Sequence, residues 1–142
     1  AQEIAITLAN PGATKVIPDH AVTPYRILIA EDSFLLVTIL QDMFDDLGWE
    51  TVGPATRLVD ALPLARSEAF DAALLDVNLD GSMSWGVAAI LKDRGIPFLF
   101  STGYDVSAVL PEYLAGSKVI GKPYQLDALE HALRQVIADK KS

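Results

Sequence analysis

The sequence predicts an α/β fold: a doubly wound parallel sheet with helices on both faces. Three observations carry this. From Tyr25 onward, apolar runs of four to six residues alternate with longer runs at helical spacing. One of those runs, "AALLD" at 72–76, is apolar up to its last residue, as expected of a strand buried on both faces. Short strands separated by helices need crossover connections, and right-handed crossovers build parallel sheets. A chain of 142 residues, 51% hydrophobic, suits one compact domain of that kind.

Each element follows in order. "RILIA" (26–30) is a short apolar strand. "SFLLVTILQDMFDDLGW" (33–49) places Leu36, Ile39, Leu40, Met43, Phe44 and Leu47 at helical spacing, with Ser33 to cap its start and Gly48 to end it. "ETVGPA" (50–55) is a weaker strand whose Gly53-Pro54 suits a sheet edge. "RLVDALPLARSEAF" (57–70) is helical, with Pro63 expected to kink it or to lie near its start. "DAALLD" (71–76) is a strand, "SWGVAAILKDRG" (84–95) a helix and "PFLFS" (97–101) a strand. "DVSAVLPEYLAG" (105–116) is an ambiguous helix, interrupted by Pro111 and weakened by Ser107 and Gly116. "KVIG" (118–121) is a short strand, and "QLDALEHALRQVIADKK" (125–141) an amphipathic helix. The alternation therefore predicts five strands and five helices.

Residues 1–24 stand apart, with three prolines and a glycine in "NPGATKVIPDHAVTP" and no period. They read as a leader or linker. Alternatively, Ile4, Ile6 and Leu8 form the last strand of an upstream domain. The folded domain is then 25–142.

Composition narrows the chemistry. There are no cysteines, so disulfides, thiolate metal sites and cysteine nucleophiles are excluded. His20 and His131 lie far apart, a poor basis for a zinc site or a Ser-His triad. A net charge of −8 argues against nucleic acid as a partner. No apolar run reaches the roughly 18 residues needed to span a bilayer. The expectation is a soluble cytoplasmic protein.

Doubly wound sheets bind ligands beyond the carboxyl ends of their strands. There the sequence puts Glu31-Asp32, Asp76, Ser101-Thr102-Gly103 and Lys122-Pro123. Three carboxylates at one edge repel strongly, and a hard divalent cation resolves the repulsion. Magnesium, or manganese, takes oxygen ligands and pairs with phosphoryl groups. Asp32 and Asp76 are the expected direct ligands, with the backbone carbonyl of Asn78. Glu31 holds a metal-bound water or binds directly. Asp76 then offers an oxygen to phosphorus, since carboxylates form aspartyl-phosphates. The Thr102 hydroxyl and Lys122 ammonium are placed to contact the oxygens of the incoming group. The plainer alternatives are that Glu31 and Asp32 cap the first helix, and that Asn78 and Asp80 are turn residues, which for the Asn78 side chain is the preferred reading. Trp49 and Trp85 read as packing residues and His131 as a surface residue.

These residues, in this order, resemble the response regulator receiver domains of two-component signalling, over about residues 25–141. The resemblance implies a flavodoxin-like sheet of order 2-1-3-4-5 and phosphorylation of Asp76 by a histidine kinase or phosphotransfer protein. It also implies a switch in the face made by helix 4, strand 5 and helix 5, read by a downstream protein partner. Such a domain assists its own phosphorylation and dephosphorylation without turning over an external substrate. "PFLFSTGYD" (97–105) is similar to a subgroup with a Phe-Ala/Ser-Thr-Gly-Tyr signature. Receivers usually carry an aromatic switch residue three positions before the lysine; here it is Val119. Tyr104 is the nearest aromatic that can replace it.

Rival readings come from other classes. A flavin site needs a phosphate-binding loop after strand 1, where Glu31-Asp32 would repel phosphate. An aspartate-nucleophile phosphatase needs an acid where Asn78 stands. A pseudo-receiver, a docking module that takes no phosphate, is the remaining alternative, kept open by Val119.

Overall fold

The computed structural model describes residues 24–141; the predicted leader, residues 1–24, lies outside the described residues apart from Pro24. The five-stranded sheet is built from β1 (Arg26–Ala30), β2 (Glu50–Ala55), β3 (Ala72–Asp76), β4 (Phe98–Thr102) and β5 (Val119–Gly121). Their order is β2-β1-β3-β4-β5, and every neighbouring pair is parallel. The order implied by the resemblance is the order observed.

Among the described residues, four α-helices flank the sheet: α1 (Phe34–Leu47), α2 (Leu58–Ser67) and α3 (Trp85–Arg94) connect strands, and α4 (Leu126–Lys141) follows the last one. The period-2 alternation of the strands sends side chains to two cores. Ile27, Ile29, Leu74 and Leu99 pack on Val37, Leu40 and Phe44 of α1 and on Leu129, Leu133 and Ile137 of α4. On the opposite face, Leu28, Leu75 and Phe100 pack on Ala61 and Ala65 of α2 and on Val87 and Leu91 of α3. Each fully buried aliphatic chain of this kind contributes about 2 kcal/mol. Trp49 is buried edge-on to Tyr25, and half-buried Trp85 packs edge-on to Phe100 at 5.5 Å, so both tryptophans are packing residues.

Local signals act where the sequence placed them. The Ser33 hydroxyl accepts the Leu36 N–H at the start of α1, and Gly48 ends that helix in the left-handed region, with φ 76°. β2 is an edge strand whose register shifts between Leu28 and Ala30 of β1, opposite Gly53-Pro54. Gly53 has φ +91°, and a Cβ there would lie 2.8 Å from the backbone nitrogen of Ala55. α2 is shorter than predicted, ending at Ser67, and Pro63 sits at its sixth position rather than near its start.

One prediction is corrected. Residues 105–116 form no α-helix: turns lead to a single 3₁₀ turn at Glu112–Leu114. Pro111 removes an amide donor and disfavours the helical region for Leu110, so a helix can neither enter nor leave that point. Alternation thus gives five strands but four α-helices among the described residues. Val119 pairs with Phe100, on the face that a fourth crossover helix would cover, and is 42% exposed.

Candidate functional site

The carboxyl ends of β1, β3 and β4 meet in register. Ala30 pairs with Leu75, and Asp76 with Ser101, so the residues that follow β1 stand beside the end of β3. The Val77 N–H donates to the Ser101 carbonyl at 2.9 Å, and the Lys122 N–H to the Thr102 carbonyl at 2.7 Å. These backbone bonds hold Asp76, Thr102 and Lys122 at one edge, although 46 residues separate the first from the last.

One carboxylate oxygen each from Glu31, Asp32 and Asp76 lies within 4.8 Å of the others. Glu31 and Asp76 are buried, whereas Asp32 is exposed. Lys122 bridges the two buried acids: its Nζ donates to Glu31 Oε1 at 2.8 Å and to Asp76 Oδ2 at 3.0 Å. The second oxygen of Glu31 accepts the Ser33 N–H at 2.9 Å. Asp32 Oδ2 accepts the Asp80 N–H at 2.8 Å, across 48 residues. Asp32 is therefore not the cap of α1; Ser33 is. The Asn78 N–H lies 3.3 Å from Asp76 Oδ1, which sets the Asn78 backbone against that carboxylate.

Burial governs the electrostatics. It raises the pKa of Glu31 above the usual 4.5, aided by the Asp76 charge and opposed by the Lys122 and Ser33 hydrogen bonds. Burial also acts to lower the pKa of Lys122, but its hydrogen bonds to Glu31 and Asp76 outweigh it, and the net shift is upward from 10.5. Three acids against one lysine leave the site net negative. Hard oxygen donors this close together, with one side chain open to solvent, fit a magnesium-sized cation that keeps several waters. Asp32, Asp76 and Glu31 supply those donors.

Other predicted residues fall around this centre. Thr102 is buried, and its Oγ1 lies 3.2 Å from both the carbonyl and the N–H of Tyr104. The Tyr104 ring is 47% exposed, with its hydroxyl 3.9 Å from Met83 Sδ. Asn78 Oδ1 accepts the Gly81 N–H, the turn role preferred for that side chain. Asn78–Leu79 and Ser82–Met83 pair as a small antiparallel hairpin beside the acids, with Asp80 at φ 51° in its turn. His131 is exposed on α4. A surface cleft of about 440 Å³ around Pro97, Gly116 and Lys140 opens at the other end of the sheet and contains none of these residues.

Among the described residues, the buried hydroxyls of Ser84, Ser101 and Tyr124 have no hydrogen-bond partner; the sequence named Ser101 at its strand end but did not single out Ser84 or Tyr124. Ser101 stands next to Asp76 in the sheet, and Tyr124 follows Lys122 by two residues. The only sequence signal for the last was a tyrosine directly after the Lys122-Pro123 step.

Comparison with known proteins places the arrangement. No protein-family profile matches the chain. A CheY-like response regulator receiver domain from Methanospirillum hungatei superposes with a TM-score of 0.73 at 22% identity, covering 84% of this chain and 98% of that one. This is the receiver fold. The receiver domain of the sensor histidine kinase PA1611 from Pseudomonas aeruginosa has it too, with a TM-score of 0.69 at 21% identity, covering 82% of this chain and 99% of that one. That receiver was solved with a magnesium ion coordinated in its active-site cleft. In sequence, the sensor histidine kinase AruS of Pseudomonas aeruginosa is 31% identical over 148 residues, which is 94% of this chain but only 14% of AruS. Sporulation initiation phosphotransferase F of Bacillus subtilis is 26% identical, covering 82% of this chain and 97% of its own length. On the receiver fold, the acids and Lys122 sit at the carboxyl edge of the sheet, where doubly wound folds place their ligands.

Proposed function

We propose that residues 25–142 form the phosphoacceptor receiver domain of a two-component phosphorelay, phosphorylated on Asp76 in a magnesium-dependent reaction. The observation that supports this most strongly is the buried Asp76 at the end of β3, within 4.8 Å of the Glu31 and Asp32 oxygens and bonded to Lys122. A divalent cation, magnesium or manganese, supplies positive charge to the carboxylates and to the oxygens of an incoming phosphoryl group.

The chain's own residues do the rest. An oxygen of Asp76 attacks phosphorus, a P–O bond forms as the P–N bond of a phosphohistidine breaks, and the electron pair leaves with the imidazole. Lys122, a quarter exposed, turns from the carboxylates toward the phosphoryl oxygens. The Thr102 hydroxyl, now bonded to Tyr104, takes another of those oxygens. That step draws on the 102–104 turn and so reaches Tyr104 and the helix-free segment behind it. Phe100-Ser101-Thr102-Gly103-Tyr104 fits the subgroup signature, and in such a domain Tyr104, rather than Val119, reports the phosphoryl group. The donor is a histidine kinase or phosphotransfer protein in the cytoplasm. Phe34, 83% exposed, and Leu35, 70% exposed, begin α1 beside the site and offer it an apolar surface. A downstream protein reads the switched surface.

The complete acid set with its lysine argues against a pseudo-receiver. Asn78, tied to Gly81, supplies no general acid for a phosphatase. The test is label transfer from a phosphorylated histidine kinase core or histidine phosphotransfer domain to the wild type and to Asp76→Asn. Label on the wild type alone supports the reading, and equal label on both refutes it.

A further inference from the structure

The chain carries a net charge of −8, yet half of its six lysines gather around one cleft at the amino end of the sheet. Lys92, Lys118 and Lys140 line it, with Asp139 as the acid among the lining residues. The cleft, about 440 Å³, lies between the last turn of α3, the start of β4, the turn before β5 and the last turns of α4. Its floor is apolar, formed by the half-buried Ile96, Pro97 and Phe98. Two of the lysines have a local reason, since cations suit the helix C-termini where Lys92 and Lys140 stand. Lys118 lies outside any helix, directly before β5. Lys92 donates to the Tyr113 carbonyl at 2.5 Å and keeps its charge.

The chemistry of the walls narrows the ligand. The N–H groups of Gly95, Ile96, Ala115 and Ser117 donate to carbonyls of their own turns, so the positive charge comes from side chains at the rim rather than from converging amides. That suits spaced carboxylates better than a single phosphate. The acidity of the whole chain opposes nucleic acid. An apolar floor under a cationic rim is complementary to an extended segment in which carboxylates flank an apolar side chain. We propose that this cleft docks such an acidic segment of the downstream protein partner, its apolar side chain on Ile96–Phe98 and its carboxylates at the three lysines. Ala115 and Gly116, which line the cleft, end the helix-free segment that follows Tyr104. Occupancy of the cleft and phosphorylation therefore bear on the same stretch of chain, and two ligands that favour one arrangement of it favour each other. Docking itself stands apart from Asp76, whereas its dependence on the switch rests on the phosphoacceptor reading.

The test is fluorescence anisotropy of a labelled peptide with glutamates flanking a central leucine, and of its counterpart with lysines in place of the glutamates. The wild type should bind the first and not the second. Lys118→Glu should weaken binding about tenfold at low salt, because an attraction becomes a repulsion, and added salt should narrow the gap. Arg57→Glu makes the same charge change at the start of α2, outside the cleft, and should bind as the wild type does. Both substituted residues are exposed, so both variants should melt with the wild type. Beryllofluoride with magnesium, a mimic of the acyl phosphate, should tighten peptide binding to the wild type about fivefold, since a wall already ordered costs less to occupy, and should leave Asp76→Asn unchanged. A wild type that does not bind the acidic peptide, or a Lys118→Glu variant that binds it equally, overturns the docking site while the phosphoacceptor reading stands. Peptide affinity unchanged or weakened by beryllofluoride, in a wild type that binds beryllofluoride, overturns the link to the switch. A wild type that does not respond to beryllofluoride at all removes the phosphoacceptor reading, and the downstream role of the cleft with it.

Discussion

Replacing Lys122 with Met probes the electrostatic centre of the site while keeping most of the side chain's length. In the wild type, the Glu31 side chain is 3% exposed and that of Asp76 10%, and Lys122 is a cation bonded to both. Breaking a buried ion pair by removing one partner costs about 3–5 kcal/mol, because the remaining charge stays desolvated. Methionine keeps the packing of the stem, and Lys122 is itself a quarter exposed, so the lower end, about 3 kcal/mol at pH 7.5 without metal, is expected. For a domain of this size that corresponds to a fall in Tm of about 10 °C. The pH dependence gives the effect a signature. Burial already raises the folded pKa of Glu31 above its unfolded value near 4.5, and losing the Lys122 hydrogen bond raises it further. A carboxyl raised in the folded state makes that state bind protons more tightly, so stability falls as pH rises from about 4.5 through the folded value. The deficit of the variant should therefore be large at pH 7.5 and smaller at pH 5. Circular dichroism melts of both proteins at the two pH values, in chelator, read this directly. A variant as stable as the wild type at pH 7.5, or one with the same deficit at both, would refute the reasoning. The lysine's own raised pKa means its contribution is fully present below about 10.5 and lost only as pH rises through the folded value.

Asp32→Asn removes the exposed acid of the cluster. It should raise the metal-free Tm slightly and reduce the stabilisation by magnesium, which for the wild type amounts to about 1.4 kcal/mol at ten times Kd, measured by melts across a magnesium series. Gly53→Ala should destabilise by about 2 kcal/mol in chemical denaturation, because φ +91° and a 2.8 Å approach to backbone both oppose a side chain. Residues 104–117 should exchange backbone amides faster than α4 and gain protection with beryllofluoride and magnesium; equal protection in both states would mean that the signal leaves by another face.

How much of this was legible in the sequence depended on whether the cause was local. The five strands were visible because apolar runs of fixed parity produce both cores, as Leu28 and Ile29 do on opposite faces of β1. Ser33 and Gly48 marked the ends of α1 through their own backbone preferences. The acidic edge was legible for a topological reason: in a parallel sheet, a carboxylate that ends an apolar strand has only one place to go. Residues 105–116 were ambiguous because periodicity suggested a helix that Pro111 forbids. What stayed hidden lies through space. Asp32 meets Asp80 and Lys122 meets Glu31 across 48 and 91 residues, and no local pattern announces either bond. The sequence reading therefore saw three mutually repelling acids, where the fold supplies a resident lysine as counter-ion to two of them. The partnerless hydroxyl of Tyr124 was hidden in the same way, since burial and missing partners are properties of the packed state.

The central claim is that Asp76 is a carboxylate nucleophile for phosphorus, and intact-mass measurement after incubation with acetyl phosphate tests it most directly. The account predicts that the wild type gains one phosphoryl group in the presence of magnesium, gains none in chelator, and that Asp76→Asn gains none in either. An unchanged wild-type mass with magnesium, or an equal gain by Asp76→Asn, would contradict it.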